Sequence, residues 1–378
     1  SILKADIRKL EDISTDSKIV LGKIIENQNW EQTFNSPTHL SLNFSAVSNF
    51  SKFNKITSGS SENKESKILS QPILQNNIIY FMDGKSNIFS YNLNNRRVVW
   101  KKKITSNREN NHNMGGGIAI AKNKLFVNSP YGEVLSLNKG DGSLFWRKKI
   151  SSPLRSTPTL VENRVLSLTV DNRLLVLDAN NGELIWSHEG IFNNTSIISE
   201  PKIAVEQNIL VVPYSNGDYF GLNFVNGIEL WRGSTVDIEQ TKTSNAFNDI
   251  DASPVFTNNS VIIASATGKI ISLDKRNGSK NWTRDLSTNQ TPLVNGNSIY
   301  IISNNKEIVN LDTKNGKIRW ITKIDEELSK NYLNIWYSPI LVNNKLFIVG
   351  GDKKFILLNP YDGKIEKIKN LPSLPASA

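Results

Sequence analysis

The sequence contains no cysteine. That excludes disulfides, thiolate zinc sites, c-type haem attachment and cysteine nucleophiles together. Histidine is scarce too: His39, His112 and His188 are the only three in 378 residues. They stand too far apart for an HExxH or His-x-His arrangement, so neither a zinc hydrolase nor a His-based metal site is indicated. His188 reads as a solvated residue on an outer strand. No apolar run approaches the roughly 18 residues that a membrane-spanning helix needs. Gly115, Gly116 and Gly117 are not followed by Gly-Lys-Ser, so they make no phosphate loop and read instead as close backbone packing at a strand start. The chain opens at Ser1 without a charged-then-apolar leader, and any targeting peptide is expected to have been removed or to lie outside it.

What is present is a repeat. LNKGDGSLFW (137–146), LDANNGELIW (177–186), LNFVNGIELW (222–231), LDKRNGSKNW (273–282) and LDTKNGKIRW (311–320) are one pattern written five times. Aligned on the closing residue, the anchors are Trp100, Trp146, Trp186, Trp231, Trp282 and Trp320, with a degenerate seventh at Lys367. Four residues before each of the last six stands a glycine: Gly142, Gly182, Gly227, Gly278, Gly316 and Gly363. The first copy departs, with Arg96 there. Asn or Asp precedes every glycine, which marks a tight hairpin in which both residues accept positive φ. Two further short strands lie upstream of each turn, as STPTLVEN and RVLSLTVDN do before 177–186. Seven such quartets begin near 69, 117, 156, 199, 252, 290 and 337, and no segment carries a long helical period.

Four-stranded units repeated every 38 to 51 residues mean an all-β protein, a β-propeller of antiparallel blades. The tryptophans then wedge one blade against the next, and the glycines leave room for the turn, because a repeat must bury a face against its neighbour. Residues 1–29 are expected as a polar N-terminal tether, 30–371 as the propeller, and 372–378 as a tail or the start of an incomplete last blade. The blade-to-blade segments 105–116, 190–199, 234–253 and 325–336 are long and varied, whereas the Asx-Gly turns are short. Function is expected on the face that carries the long loops. Trp336, outside the repeat register, is expected to pack there.

The net charge of +10 permits contact with anionic membranes, nucleic acid or an acidic partner and selects none. The basic runs RRVVWKKKI (96–104) and FWRKKI (145–150) fall on consecutive outermost strands. Edge protection against sheet aggregation explains them; a sector facing anionic headgroups or an acidic partner is the functional alternative. No nucleic-acid-binding module accompanies the charge.

The L-[ND]-x-x-[ND]-G-x-x-x-W repeats resemble the PQQ-like propeller repeat. With NWEQTFNSPTHLSL (29–42), GGGIAI (115–120) and NDIDASPVF (248–256), the chain resembles the BamB family of outer-membrane assembly factors, in its α-proteobacterial form. The resemblance implies a family with usually eight blades, of which seven full quartets are counted here; FSKFNKITSG, with Phe53 near the tryptophan position, would add an outer strand. It implies a periplasmic, non-enzymatic scaffold at the inner face of the outer membrane, without cofactor. Its partner would be the periplasmic domains of a BamA-like barrel-inserting subunit, with unfolded outer-membrane clients in reach. Partner contact would fall on Asp249 and Asp251, with Phe247 and the loop residues Asn193, Asn194, Thr195 and Ile197 adding contact. Family members are lipoproteins anchored through an N-terminal cysteine, which this sequence lacks. The same repeat occurs in quinoprotein dehydrogenases. That alternative needs a quinone in the central funnel, oxygen ligands for calcium and a carboxylate base.

Overall fold

Each copy of the ten-residue repeat folds as the turn joining the third and fourth strands of a sheet. The computed structural model describes residues 17–47, 55–57, 59–60, 70–104, 115–191, 201–236, 250–266, 268–324, 336–350 and 353–372. They form seven sheets, each built on four consecutive antiparallel strands: blade 1 (73–103), blade 2 (117–149), blade 3 (159–189), blade 4 (204–234), blade 5 (255–285), blade 6 (293–323) and blade 7 (340–370). A single turn of 3-10 helix, Thr33–Asn35, is the only helical element among the described residues. Phe53 lies outside them. The first strand of every blade is innermost and the fourth outermost. Blade 7 alone is extended inward, where Ile24–Ile25 and Asn43–Phe44 pair in parallel beside Ile340–Val342.

The turn chemistry departs from the expectation in one respect. Only the glycine takes positive φ, between 67° and 76° at the six positions. The preceding Asn or Asp instead accepts a bond from the backbone N–H two residues on, as Glu183 N to Asn181 Oδ1 (3.0 Å) and Ser143 N to Asp141 Oδ1 (2.8 Å). The Asn or Asp that opens the turn does the same, as Asn180 N to Asp178 Oδ1 shows. Both Asx positions are therefore caps of backbone donors that the hairpin leaves free.

The tryptophans dock on the glycines of the following blade. A methyl group at Gly182, Gly227 or Gly316 would sit 2.6 Å from the indole of Trp146, Trp186 or Trp282. Gly142, Gly278 and Gly363 receive Trp100, Trp231 and Trp320 in the same way. The indole N–H then donates to the carbonyl three residues before that glycine: Trp100 to Lys139 O (2.9 Å), Trp146 to Ala179 O, Trp231 to Lys275 O, Trp282 to Thr313 O and Trp320 to Pro360 O. At Trp186 the corresponding carbonyl, Phe224 O, is taken by Arg164 Nη1 at 2.6 Å, and the indole nitrogen has no acceptor among the described residues.

Apolar clusters fill the spaces between consecutive blades from 1–2 through 6–7. Trp336 is one of these core residues, buried between blades 6 and 7 with its ring against Gly350. Lys367 stands at the tryptophan position of blade 7 and Arg96 at the glycine position of blade 1, so both departures fall at the two ends of the blade series. There Phe44, Ala46 and Leu371 cover Val342, Phe347 and Phe355 of blade 7. On blade 1, Tyr91 donates its hydroxyl to Ile56 O and Asp83 accepts from Ser60 N.

Candidate functional site: the axial channel and its loop-side mouth

An innermost strand has an unpaired edge facing the ring axis, and its backbone groups need partners. Residues 30–44 supply them in order. Trp30 exchanges two backbone bonds with Leu74 of blade 1 (2.6 and 2.8 Å), and Glu31 O accepts from Ile120 of blade 2. Gln32 Oε1 accepts from Leu160 N of blade 3, Pro37 O from Val205 of blade 4, and Thr38 O from Phe256 of blade 5. Ser41 N donates to Val294 O of blade 6, and Asn43–Phe44 pairs with Leu341 and Val342 of blade 7. Every contacted strand residue lies within two residues of the hairpin that follows it. The segment is a collar closing the channel at the turn-side mouth, one blade at a time.

Before the collar, residues 17–22 lie along blade 6. Ser17 Oγ donates to Asp312 Oδ2 (2.6 Å), and Val20 N and Gly22 N donate to Asn297 Oδ1 and Asn295 Oδ1. Arg319 Nη2 meets Asp312 Oδ2 at 2.6 Å in a buried ion pair. Residues 17–25, expected within the polar tether, are thus docked on blades 6 and 7.

Inside the collar the chain turns sharply, with left-handed backbone at Phe34, Asn35 and His39. His39 is buried; its Nδ1–H donates to Pro254 O at 2.8 Å and its ring lies 5.0 Å from that of Phe34. Burial lowers its pKa to about 4, the Lys202 charge acts in the same direction, and the bond to Pro254 opposes both. His39 is therefore neutral near pH 7. Lys202 Nζ stands 5.9 Å from the Phe34 ring centre, and Thr33 Oγ1 meets Thr157 Oγ1 at 3.1 Å.

At the loop-side mouth the residues leading into the innermost strands are bonded across blades: Lys202 N to Ser253 Oγ, Ser253 N to Thr291 Oγ1, and Ser338 N to Gln290 Oε1. Arg155, Lys202 and Asp251, on blades 3, 4 and 5, are all buried there. Asp251 is 9% exposed, so its carboxylate sits within the mouth rather than on its outer surface. Asp249, Phe247, Asn193, Asn194, Thr195 and Ile197 lie outside the described residues, as does His112. His188 is half-buried rather than solvated, with Nδ1 2.7 Å from the Tyr214 hydroxyl; burial lowers its pKa against the Glu229 and Glu189 charges.

One cavity of about 270 Å³ opens between the collar and the innermost strands of blades 6, 7 and 1. Its walls are chiefly apolar, with Trp30, Phe34, Leu42 and Phe44 on the collar side, and no charged residue lines it. No group of three or more potential metal-ligating side chains occurs among the described residues. The collar was not legible in advance: NWEQTFNSPTHLSLNF has neither strand alternation nor repeat register, and its contacts are made largely through backbone.

Residues 84–322 match the model of the family described as outer membrane protein assembly factor BamB. An uncharacterized protein of Rickettsia conorii is 26% identical over 220 residues, which cover 57% of this chain and 53% of that protein. Outer membrane protein assembly factor BamB of Yersinia pestis is 22% identical over 223 residues, covering 58% of this chain and 57% of that one. The matches thus span about half the length of these curated relatives. Among solved structures, BamB from Moraxella catarrhalis superposes with a TM-score of 0.69 at 16% identity, covering 80% of this chain and 88% of that one. A europium-containing methanol dehydrogenase reaches 0.71 at 12% identity, covering 93% and 86%. At such identities the likeness establishes the propeller fold alone.

Proposed function

Because the chain belongs to the family of outer membrane protein assembly factor BamB, we propose that it is a non-enzymatic scaffold of the β-barrel assembly machinery. It would work in the periplasm at the inner face of the outer membrane. In this reading the propeller presents its loop face to the periplasmic domains of a BamA-like subunit and holds them for folding and insertion of outer-membrane proteins. The observation that supports it is the filled axis: residues 30–44 occupy the turn-side mouth and bond to the innermost strands of all seven blades. The buried Asp251 would order the segment before blade 5, leaving Asp249 to meet basic side chains of the partner, with Phe247 and loop 190–199 adding apolar contact.

Calorimetry of this chain with the periplasmic domains of the BamA-like subunit tests the proposal. Micromolar or tighter binding, weakened at least tenfold by Asp249→Arg in a variant that still folds, is the expected result. No binding by the wild-type chain refutes it. The quinoprotein reading draws on the fold shared with methanol dehydrogenase. A quinone bearing carboxylates needs cations and calcium ligands around it, and titration of the chain with quinone and calcium tests that reading.

A further inference from the structure

Every outermost strand carries a β-bulge at the same place. Pairing with the third strand slips by one residue immediately before the tryptophan position in all seven blades. The bulged residue is Val99, Phe145, Ile185 and Leu230 in blades 1 to 4, but Asn281, Arg319 and Glu366 in blades 5 to 7. The four apolar ones are 51, 46, 43 and 45% exposed, and Val98, Leu144 and Leu184 beside them are exposed as well. Asn281 and Glu366 show that the repeat folds with polar residues at this point. Packing therefore does not explain four consecutive exposed hydrophobic residues at equivalent positions.

Charge is biased over the first two of these four blades. Outermost strand Arg97–Lys103 carries Arg97, Lys101, Lys102 and Lys103, and Leu144–Lys149 carries Arg147, Lys148 and Lys149, with no acidic residue on either: 4 + 3 = +7. The next two, Leu184–Glu189 and Glu229–Ser234, hold Glu189, Glu229 and Arg232, a net −1 with His188 neutral. Lys103, Lys148 and Lys149 make no ion pair among the described residues. Edge protection needs a charge on each edge, of either sign. It does not call for seven of one sign on neighbouring blades.

The two features are ordered along the strand. Arg97 apart, apolar residues lie at the turn end and the lysines at the far end, with Val99 and Lys103 separated by four residues, about 13 Å of strand. An interfacial protein needs that sequence: hydrophobic side chains reaching about 5–10 Å into the headgroup–acyl boundary, and ammonium groups above them at phosphate depth. We propose that the outermost strands of blades 1 and 2, continued by the exposed pairs of blades 3 and 4, form a docking rim for an anionic lipid bilayer. This goes beyond the scaffold reading and is independent of any protein partner.

The absence of cysteine makes the test direct, since Phe145→Cys places one environment-sensitive fluorophore on the rim. The labelled full chain is titrated with vesicles of phosphatidylcholine alone and of phosphatidylcholine with phosphatidylglycerol. Expected are a blue shift and sedimentation only with the anionic vesicles, weakening with salt. Lys103→Gln/Lys148→Gln/Lys149→Gln should weaken binding by about a hundredfold, taking about fivefold per lysine. In otherwise wild-type chain, Val99→Ser/Phe145→Ser should weaken sedimentation at least tenfold, and folding of each variant is checked by far-ultraviolet circular dichroism. No binding to anionic vesicles overturns the proposal. So does binding that ignores the Val99/Phe145 change, or equal affinity for soluble poly-glutamate without a blue shift, which would identify an acidic-protein surface.

Discussion

Replacing Gly316 by alanine tests the tryptophan–glycine junction on which the ring depends. Its φ of +67° costs an L-residue about 1–2 kcal/mol wherever it occurs. The added methyl would also stand 2.6 Å from Trp282 Cε3 and 2.7 Å from Cδ2. Carbon atoms settle at about 3.5–4.0 Å, so the indole must move by about 1 Å, and overpacking of that kind costs about 1–3 kcal/mol. The single substitution should therefore cost about 2–5 kcal/mol. Trp282→Leu removes the indole and its bond to Thr313 O, with a cost of similar size. In the double variant the steric part of the glycine change disappears. The two costs should fall short of additivity by about 1–3 kcal/mol, read by urea unfolding of the four proteins. Gly140→Ala, which has ordinary backbone and only Asn138 Oδ1 at 3.3 Å near its methyl, should stay within about 0.5 kcal/mol of wild type. Additivity within about 0.5 kcal/mol would refute docking of the indole on the glycine as the source of the constraint.

Arg96 occupies the glycine position of blade 1 with φ of +57° and receives no tryptophan, so Arg96→Gly should stabilise by up to about 1 kcal/mol in the same unfolding assay. His39 has a folded pKa near 4, below its unfolded 6.5. Its contribution is therefore complete above pH 6.5 and is lost as pH falls toward 4. The loss between pH 7 and pH 5 is about 2 kcal/mol. His39→Asn should remove that part of the pH dependence in parallel unfolding curves at the two pH values. Asp312→Asn strands the buried Arg319 guanidinium without its anion; a cost of about 3–5 kcal/mol is expected from chemical denaturation, whereas the exposed Lys364–Asp362 pair should tolerate Asp362→Asn to within about 1 kcal/mol.

The repeat was open to reading because each of its letters answers a local demand. Leucine enters the core, the two Asx residues cap turn donors, glycine supplies the left-handed φ, and tryptophan is the one large side chain left to fill the junction. Those demands recur in every blade, and periodicity exposes them. Asp251 shows the limit of local reading: two carboxylates before a strand looked like a surface contact, yet burial of the channel mouth draws one of them inward. Trp336 lay outside the repeat register and was expected at the loop face; it belongs to the core between blades 6 and 7, because Gly350 leaves its indole a seat.

Sequence alone determined the blade, the number of quartets and the residues of each junction, since these follow from turn chemistry and a period of two along short strands. Tertiary structure decided what the two irregular copies mean. Docking runs from each tryptophan to the next glycine, so Lys367 and Arg96 stand at the last and first positions of the series, the two places where no such partner is needed within the six junctions. It also decided the course of residues 30–44, which satisfy the inner edge of all seven blades in turn. Those bonds fall chiefly on backbone N–H and C=O groups, which every residue but proline carries alike, and so the collar leaves no pattern in the side chains that make it.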